Sequence, residues 1–162
     1  MASRNPRHAS GAERISQECI SLALRALTRR VTATYDQALT EFGCSAAQLH
    51  ILATIEWLGN DASAAEVGRH LHLQRSTLSR DVERLLIYGW IERSKLWGGR
   101  AMRLSLNATG ASILYASQGA WKNAQSEVAR LLGSALVQAL RAVTLAHRTS
   151  AGRGPRRSAD EE

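Results

Sequence analysis

Between residues 11 and 42, apolar side chains return every three or four positions, at Ile20, Leu24, Leu27, Val31, Tyr35, Ala38 and Phe42. That is the period of an α-helix, and the stretch has no Pro and, after Gly11, no Gly. A second apolar strip (Ile15, Cys19, Leu22, Ala26) runs beside the first. At ~1.5 Å per residue one helix over this stretch is about 45 Å long. A single small core cannot cover that length, so the pattern predicts one strip on the chain's own core and the other on a second subunit. Gly43 supplies the stop. Ser45 is placed to cap a helix over Ala46–Leu58, with Leu49, Leu52, Ala53 and Ile55 as its apolar positions. Gly59-Asn60-Asp61 is a turn signal.

The pattern then shortens. Ser63 precedes a helical run over Ala64–Leu71, with Glu66 three residues on as in a capping box. Within that run Gly68 leaves room for another helix to approach. His72-Leu73-Gln74 reads as a tight turn, and a second helical run comes next, over Arg75–Tyr88. In that run Leu78, Val82, Leu85 and Leu86 share the core-facing side. Gly89 ends it, and Trp90–Arg93 and Ala101–Leu106 read as two short strands around a Gly98-Gly99 tip. Helix, turn, helix and basic hairpin is the order of a winged helix-turn-helix. Asn107 is placed to cap the first of two further helices, over 108–131 and 134–148. They are separated near Gly133-Ser134, with Leu136, Leu140 and Val143 among their apolar positions.

The whole is expected to be mostly α with a small β wing. Residues 43–106 form the winged helix-turn-helix, residues 11–42 and 107–149 form dimerisation helices, and 1–10 and 150–162 form a disordered arm and tail. Residues 150–162 are Gly, Pro and charge, with too little apolar surface to fold alone.

Charge sharpens this picture. The 162 residues carry a formal net charge of +7, so a polyanionic partner is expected. Residues 63–106 hold eight Lys and Arg against four Asp and Glu, leaving +4, over half of the whole excess. The start of the second helix concentrates the chemistry that reads DNA. Arg75 and Arg80 suit a bidentate fork to guanine, Gln74 suits adenine, and the Thr77 methyl suits thymine. Ser76, Ser79 and the free N–H groups of a helix start suit phosphate oxygens. Ser76 and Thr77 also suit the capping of that helix. Arg84, Lys95, Arg100 and Arg103 extend the basic surface along the helix and hairpin.

The phrases Leu73-Gln74-Arg75-Ser76-Thr77-Leu78-Ser79-Arg80, Gly89-Trp90-Ile91-Glu92-Arg93 and Arg100–Gly110 resemble the MarR family of bacterial transcription regulators. The resemblance extends over roughly residues 14–148. It implies a homodimer on double-stranded DNA, with a near-palindromic operator and repression as the usual outcome. It also implies a dimer interface that includes Ile15, Cys19, Leu22, Leu136, Leu140 and Val143. The wing departs from the family pattern, which has Asp near Lys95 and Arg near Trp97; only the later Arg100 is kept. Trp97 then has two readings, packing on its own hairpin or wedging against a sugar.

The resemblance also suggests how a signal enters. In some relatives small aromatic acids bind in a cleft between the two parts, where His50, Trp57 and Trp121 are the candidates here. In peroxide sensors of the family a cysteine on the first helix is oxidised, which points to Cys19. A small buried apolar residue is the other reading of Cys19.

Other classes find little support. Two cysteines, Cys19 and Cys44, make no disulfide scaffold and match no zinc spacing. His70 and His72, two apart, do not share a helix face. No phosphate loop, nucleophile elbow or paired His-Glu zinc motif is present, so neither an enzyme nor a cofactor is expected. No apolar run approaches the ~20 residues of a membrane span, and the first 14 residues have no apolar core after their basic ones. A cytoplasmic protein is the expectation. The alternative function is a winged helix used for protein–protein assembly, with its charge serving solubility.

Overall fold

The computed structural model describes residues 6–95 and 102–150, with side chains for 11–94 and 102–144. Helices α1 (Pro6–Glu18) and α2 (Ile20–Leu39) lead through a tight turn (Thr40–Phe42) into α3 (Ala46–Leu58). A second turn (Gly59–Asp61) precedes α4 (Ala64–Leu71) and α5 (Arg75–Ile87). Strands β1 (Ile91–Lys95) and β2 (Met102–Leu106) come next, then α6 (Ala108–Ala116) and α7 (Gln118–Ser150). The two strands form one antiparallel ribbon in which Arg93 faces Leu104 and Lys95 faces Met102.

The core lies mainly in the segment from α3 to α6, closed at one side by the end of α2. Ile51, Leu52, Ile55, Val67, Val82, Leu85 and Leu104 are almost fully enclosed, and Leu39, Leu58, Leu78, Trp90, Ile91 and Leu114 complete the cluster. Burying each such side chain contributes ~1.5–3 kcal/mol. Ala53, read as apolar surface of α3, is exposed, and Leu86 lies only at the edge of the cluster. α2 packs along α7, where the Tyr35 hydroxyl donates to Gln125 Oε1 at 2.5 Å.

Caps define the starts of the winged-helix elements. Ser45 and Gln48 form a full capping box on α3. Ser63 accepts the Glu66 N–H at 3.2 Å, but the Glu66 carboxylate turns to Arg69 instead of back to Ser63. Asn107 accepts the Gly110 N–H at 3.0 Å and donates to the Gly89 carbonyl, so it caps α6 and ties it to the end of α5.

Three boundaries differ from expectation. α1 begins at Pro6, inside the stretch read as a disordered arm. The single helix over 11–42 is two helices, broken where Cys19 adopts φ −72° and ψ 107°; the Cys19 carbonyl then accepts the Ala23 N–H and starts α2. No Pro, Gly or capping side chain marks that break, so the period runs through it unsignalled. The helix over 108–131 also divides, at Ser117, a fully buried residue whose hydroxyl donates to the Leu114 carbonyl. The break near Gly133 falls where it was read, with Gly133 at φ 74° and ψ 157°.

Two glycines are required by close approach. A Cβ on Gly68 would sit 3.1 Å from Leu78 Cδ2, which bears out the reading that Gly68 lets α4 and α5 pack closely. A Cβ on Gly110 would fall 2.0 Å from the Trp90 carbonyl oxygen, so the start of α6 rests against the backbone entering β1.

Candidate nucleic-acid interface

α4 and α5 meet through a turn in which His72 takes a left-handed φ of 53°. The Leu73 N–H donates to the Gly68 carbonyl at 3.0 Å and closes that turn. α5 then divides cleanly. Leu78, Val82 and Leu85 are buried, whereas Gln74, Arg75, Ser76, Thr77, Ser79, Arg80 and Arg84 are all exposed. Because 3.6 residues make a turn, one apolar side held to the core leaves the opposite side facing out along the whole helix.

The start of α5 differs from the starts of its neighbours. α3, α4 and α6 each have a side chain capping the first turn. Gln74, at the equivalent place on α5, makes no such bond. The first-turn N–H groups, with the positive end of the helix dipole, therefore face outward without a cap side chain at Gln74. Ser76 and Thr77 lie inside the helix and are not its N-cap.

The cations divide as well. Arg93 of β1 donates to Glu83 of α5 at 2.7 Å, and Arg69 pairs with Glu66. Arg75, Arg80 and Arg84 form no ion pair among the described residues. Arg103 lies on β2 opposite Ser94, half-buried, with its backbone bridged to Ser63 and its Nε enclosed without a partner. Lys95 closes β1, but its side chain, with Arg100 and Trp97, lies outside the described residues.

Two features here escaped the sequence reading. The Glu83–Arg93 pair joins α5 to the hairpin across ten residues, a spacing no helical rule picks out. An open groove of about 630 Å³ also runs between α4, α5 and β1, with Leu73, Leu78 and Val82 on its floor and Arg69, Arg75 and Arg93 at its rim.

The signal-site candidates are more scattered. Trp57 is exposed on α3 and its indole meets the His70 ring on α4, with centroids 4.7 Å apart. Trp121 is exposed on α7. His50 is exposed, yet the atoms around its ring push its pKa down, against the pull of the Asp36 carboxylate; solvent access limits that push. Cys19 is half-buried at the α1–α2 break. Cys44 is buried at the start of α3, and burial pushes its thiol up to about 11, so it is not a thiolate at neutral pH. Among the described residues, no group of three or more His, Cys, Asp or Glu is placed to hold a metal ion. No helix among them is long and apolar enough to cross a membrane.

The apolar positions read as dimer interface are exposed in the single chain: Ile15, Leu22, Leu136, Leu140 and Val143. Ile15 reaches 69% exposure, far from what an isolated helix in water favours.

Known proteins share this architecture. The M. tuberculosis regulator MosR, solved in complex with DNA, superposes with a TM-score of 0.69 at 23% identity, over 82% of this chain and 96% of that one. A cysteine-to-serine variant of E. coli MarR with operator DNA gives 0.68 at 22%, over 78% and 92%. The S. aureus MepR–DNA complex gives 0.67 at 16%, over 81% and 97%. No curated protein sequence matches the chain. The sequence pattern of the MarR family matches residues 44–97, which run from the start of α3 to the hairpin. The winged helix-turn-helix of this chain is therefore similar in sequence to the MarR family over these residues, and its fold is that of the three regulators.

Proposed function

We propose that this protein is a cytoplasmic, homodimeric, sequence-specific regulator of transcription, acting as a repressor on a near-palindromic operator in double-stranded DNA. The observation that carries the reading is the outer side of α5: exposed Gln74, Arg75, Ser76, Thr77, Ser79, Arg80 and Arg84 on a helix whose other side is locked into the core. Each subunit lays α5 in a major groove, with half-sites one turn, about 34–36 Å, apart. Arg75 and Arg80 read base edges, the uncapped start of α5 holds a phosphate, and Arg84, Arg103, Lys95 and Arg100 bind the flanking backbone. The solved DNA complexes of MosR, MarR and MepR support this reading through their shared fold. Ile15, Cys19, Leu22, Leu136, Leu140 and Val143 meet the second subunit. A small aromatic acid near His50, Trp57 and Trp121, or an oxidant at Cys19, releases the DNA by changing the distance between the two α5 helices.

The test is a fluorescence-anisotropy titration against DNA from upstream of the protein's own gene and against random DNA, at two salt concentrations. The regulator reading expects tight, sequence-preferring binding by two subunits per duplex, weakening steeply with salt. Replacing Arg75 and Arg80 together with Ala is expected to lower affinity by ~100-fold or more, at 1–3 kcal/mol per lost contact, with the fold intact. Equal, weak binding to both DNAs that survives the double replacement would sink this reading and favour protein–protein assembly.

A further inference from the structure

The joint between the arm helices and the winged helix is a short segment with an unusual bond across it. α2 ends at Leu39, a tight turn comes next, Gly43 takes a left-handed φ of 61°, and α3 begins at Ala46. Asp36, in the last turn of α2, accepts the backbone N–H of Ala46 through Oδ1 at 2.7 Å. Ala46 is the first residue of α3, and its N–H is among the four that no helical carbonyl can satisfy.

α3 does not need Asp36 in order to start. Ser45 already accepts the Gln48 N–H at 3.3 Å, and Gln48 Oε1 accepts the Ser45 N–H at 2.9 Å. The two devices therefore differ in kind. The capping box keeps α3 helical, whereas Asp36 caps α3 from a different helix and so ties α3 to α2. The helix dipole favours a carboxylate at this place. Two polar groups beside it bond elsewhere. The Cys44 thiol donates to the Ser45 carbonyl, and the Thr40 hydroxyl donates to the backbone carbonyl of Asp36, pinning the end of α2. Ala46 is buried, so loss of the acceptor strands its N–H away from water.

We propose that Asp36 is a positioning residue for operator recognition. Its bond to Ala46 sets the angle at which the winged helix leaves the arm helices, and with it the separation of the two α5 helices on DNA. The proposal rests on the dimeric DNA-binding reading above. A small rotation at Gly43 is carried along α3, whose 13 residues span ~20 Å at 1.5 Å each, before it reaches the rest of the winged helix.

The experiment uses the full-length chain and a duplex selected by the wild-type protein from a random library. Variants of that duplex carry one or two base pairs more or fewer between the half-sites. The wild type is expected to discriminate among these spacings. Asp36→Ala should remain a dimer of unchanged helicity, lose about tenfold in affinity on the selected spacing, and lose much less on the others, so that the preference flattens. Asp36→Asn, whose Oδ1 can accept the same N–H, should restore the preference. Should Asp36→Ala fail to fold, Asp36→Ser, with a hydroxyl too short to reach Ala46, carries the same comparison. Equal loss on every spacing, or an unchanged preference, would overturn the proposal. If the wild type selects no duplex at all, the dimeric DNA-binding reading itself falls, and that outcome is visible before any variant is made.

Discussion

The winged-helix unit and the arm helices use the same helical period to opposite ends. In α3, α4 and α5 the apolar side finds partners within the chain, and Ile51, Leu52, Val67 and Leu85 have essentially no exposed surface. In α1, α2 and the second half of α7 the same spacing leaves Ile15, Ile20, Leu24, Leu140 and Val143 open to solvent. Amphipathic patterning tells which residues want to be covered; it does not tell whether the cover comes from the same chain. A closed core folds on its own account, whereas an open face draws its stability from whatever covers it, and under the proposed function that is a second copy.

The sharpest way to break this contrast is to damage the closed core. Leu52→Ala is expected to cost ~2–5 kcal/mol of unfolding free energy, measured by urea denaturation, and to do so at any protein concentration. The corresponding change on an open face should behave differently. Leu140→Asp is expected to leave the helical content unchanged while shifting sedimentation from dimer to monomer, and apparent stability should then stop rising with concentration. A dimer that survives Leu140→Asp intact would place the interface elsewhere.

Cys44 offers a pH-dependent reading of the closed side. Burial raises its pKa from 9.0 to about 11, so the unfolded chain gives up this proton first. The neutral thiol's contribution is complete below pH 9 and is lost as the pH rises through about 11. The wild type should therefore lose stability over that window faster than Cys44→Ala. Parallel curves would mean that solvent reaches the thiol. The smallest effect is expected at Glu83→Gln. This ion pair with Arg93 is partly exposed, and such pairs contribute ~0–1 kcal/mol. Unfolding should barely change, while release of Arg93 adds an unpaired cation beside α5 and should steepen the salt dependence of DNA binding.

Much of the winged helix was legible because its signals are local. Ser45, Ser63 and Asn107 mark helix starts through bonds to residues three positions on. Gly43 and Gly89 mark stops through their left-handed backbone. The outward set on α5 follows from the buried positions of Leu78, Val82 and Leu85. The features that stayed hidden depend on residues distant in sequence. Gly110 reads as a poor choice for the first turn of a helix until the Trp90 carbonyl is seen against it. Asp36 reads as one more polar residue on a long helix until Ala46 comes beneath it. The break at Cys19 interrupts a helical period that continues unaltered on both sides.

By itself, then, the order of residues determined the type and succession of elements from α3 to β2, the apolar side of the helices there, and the cluster of cations on the second helix of the helix-turn-helix. Those properties arise from hydrogen bonds and side-chain spacing within a turn or two of backbone. Tertiary structure alone decided which apolar sides are closed, which arginines are held in ion pairs and which face outward, and where a carboxylate from one helix caps another. Such contacts depend on how elements pack in three dimensions, and no period of three or four residues can encode them.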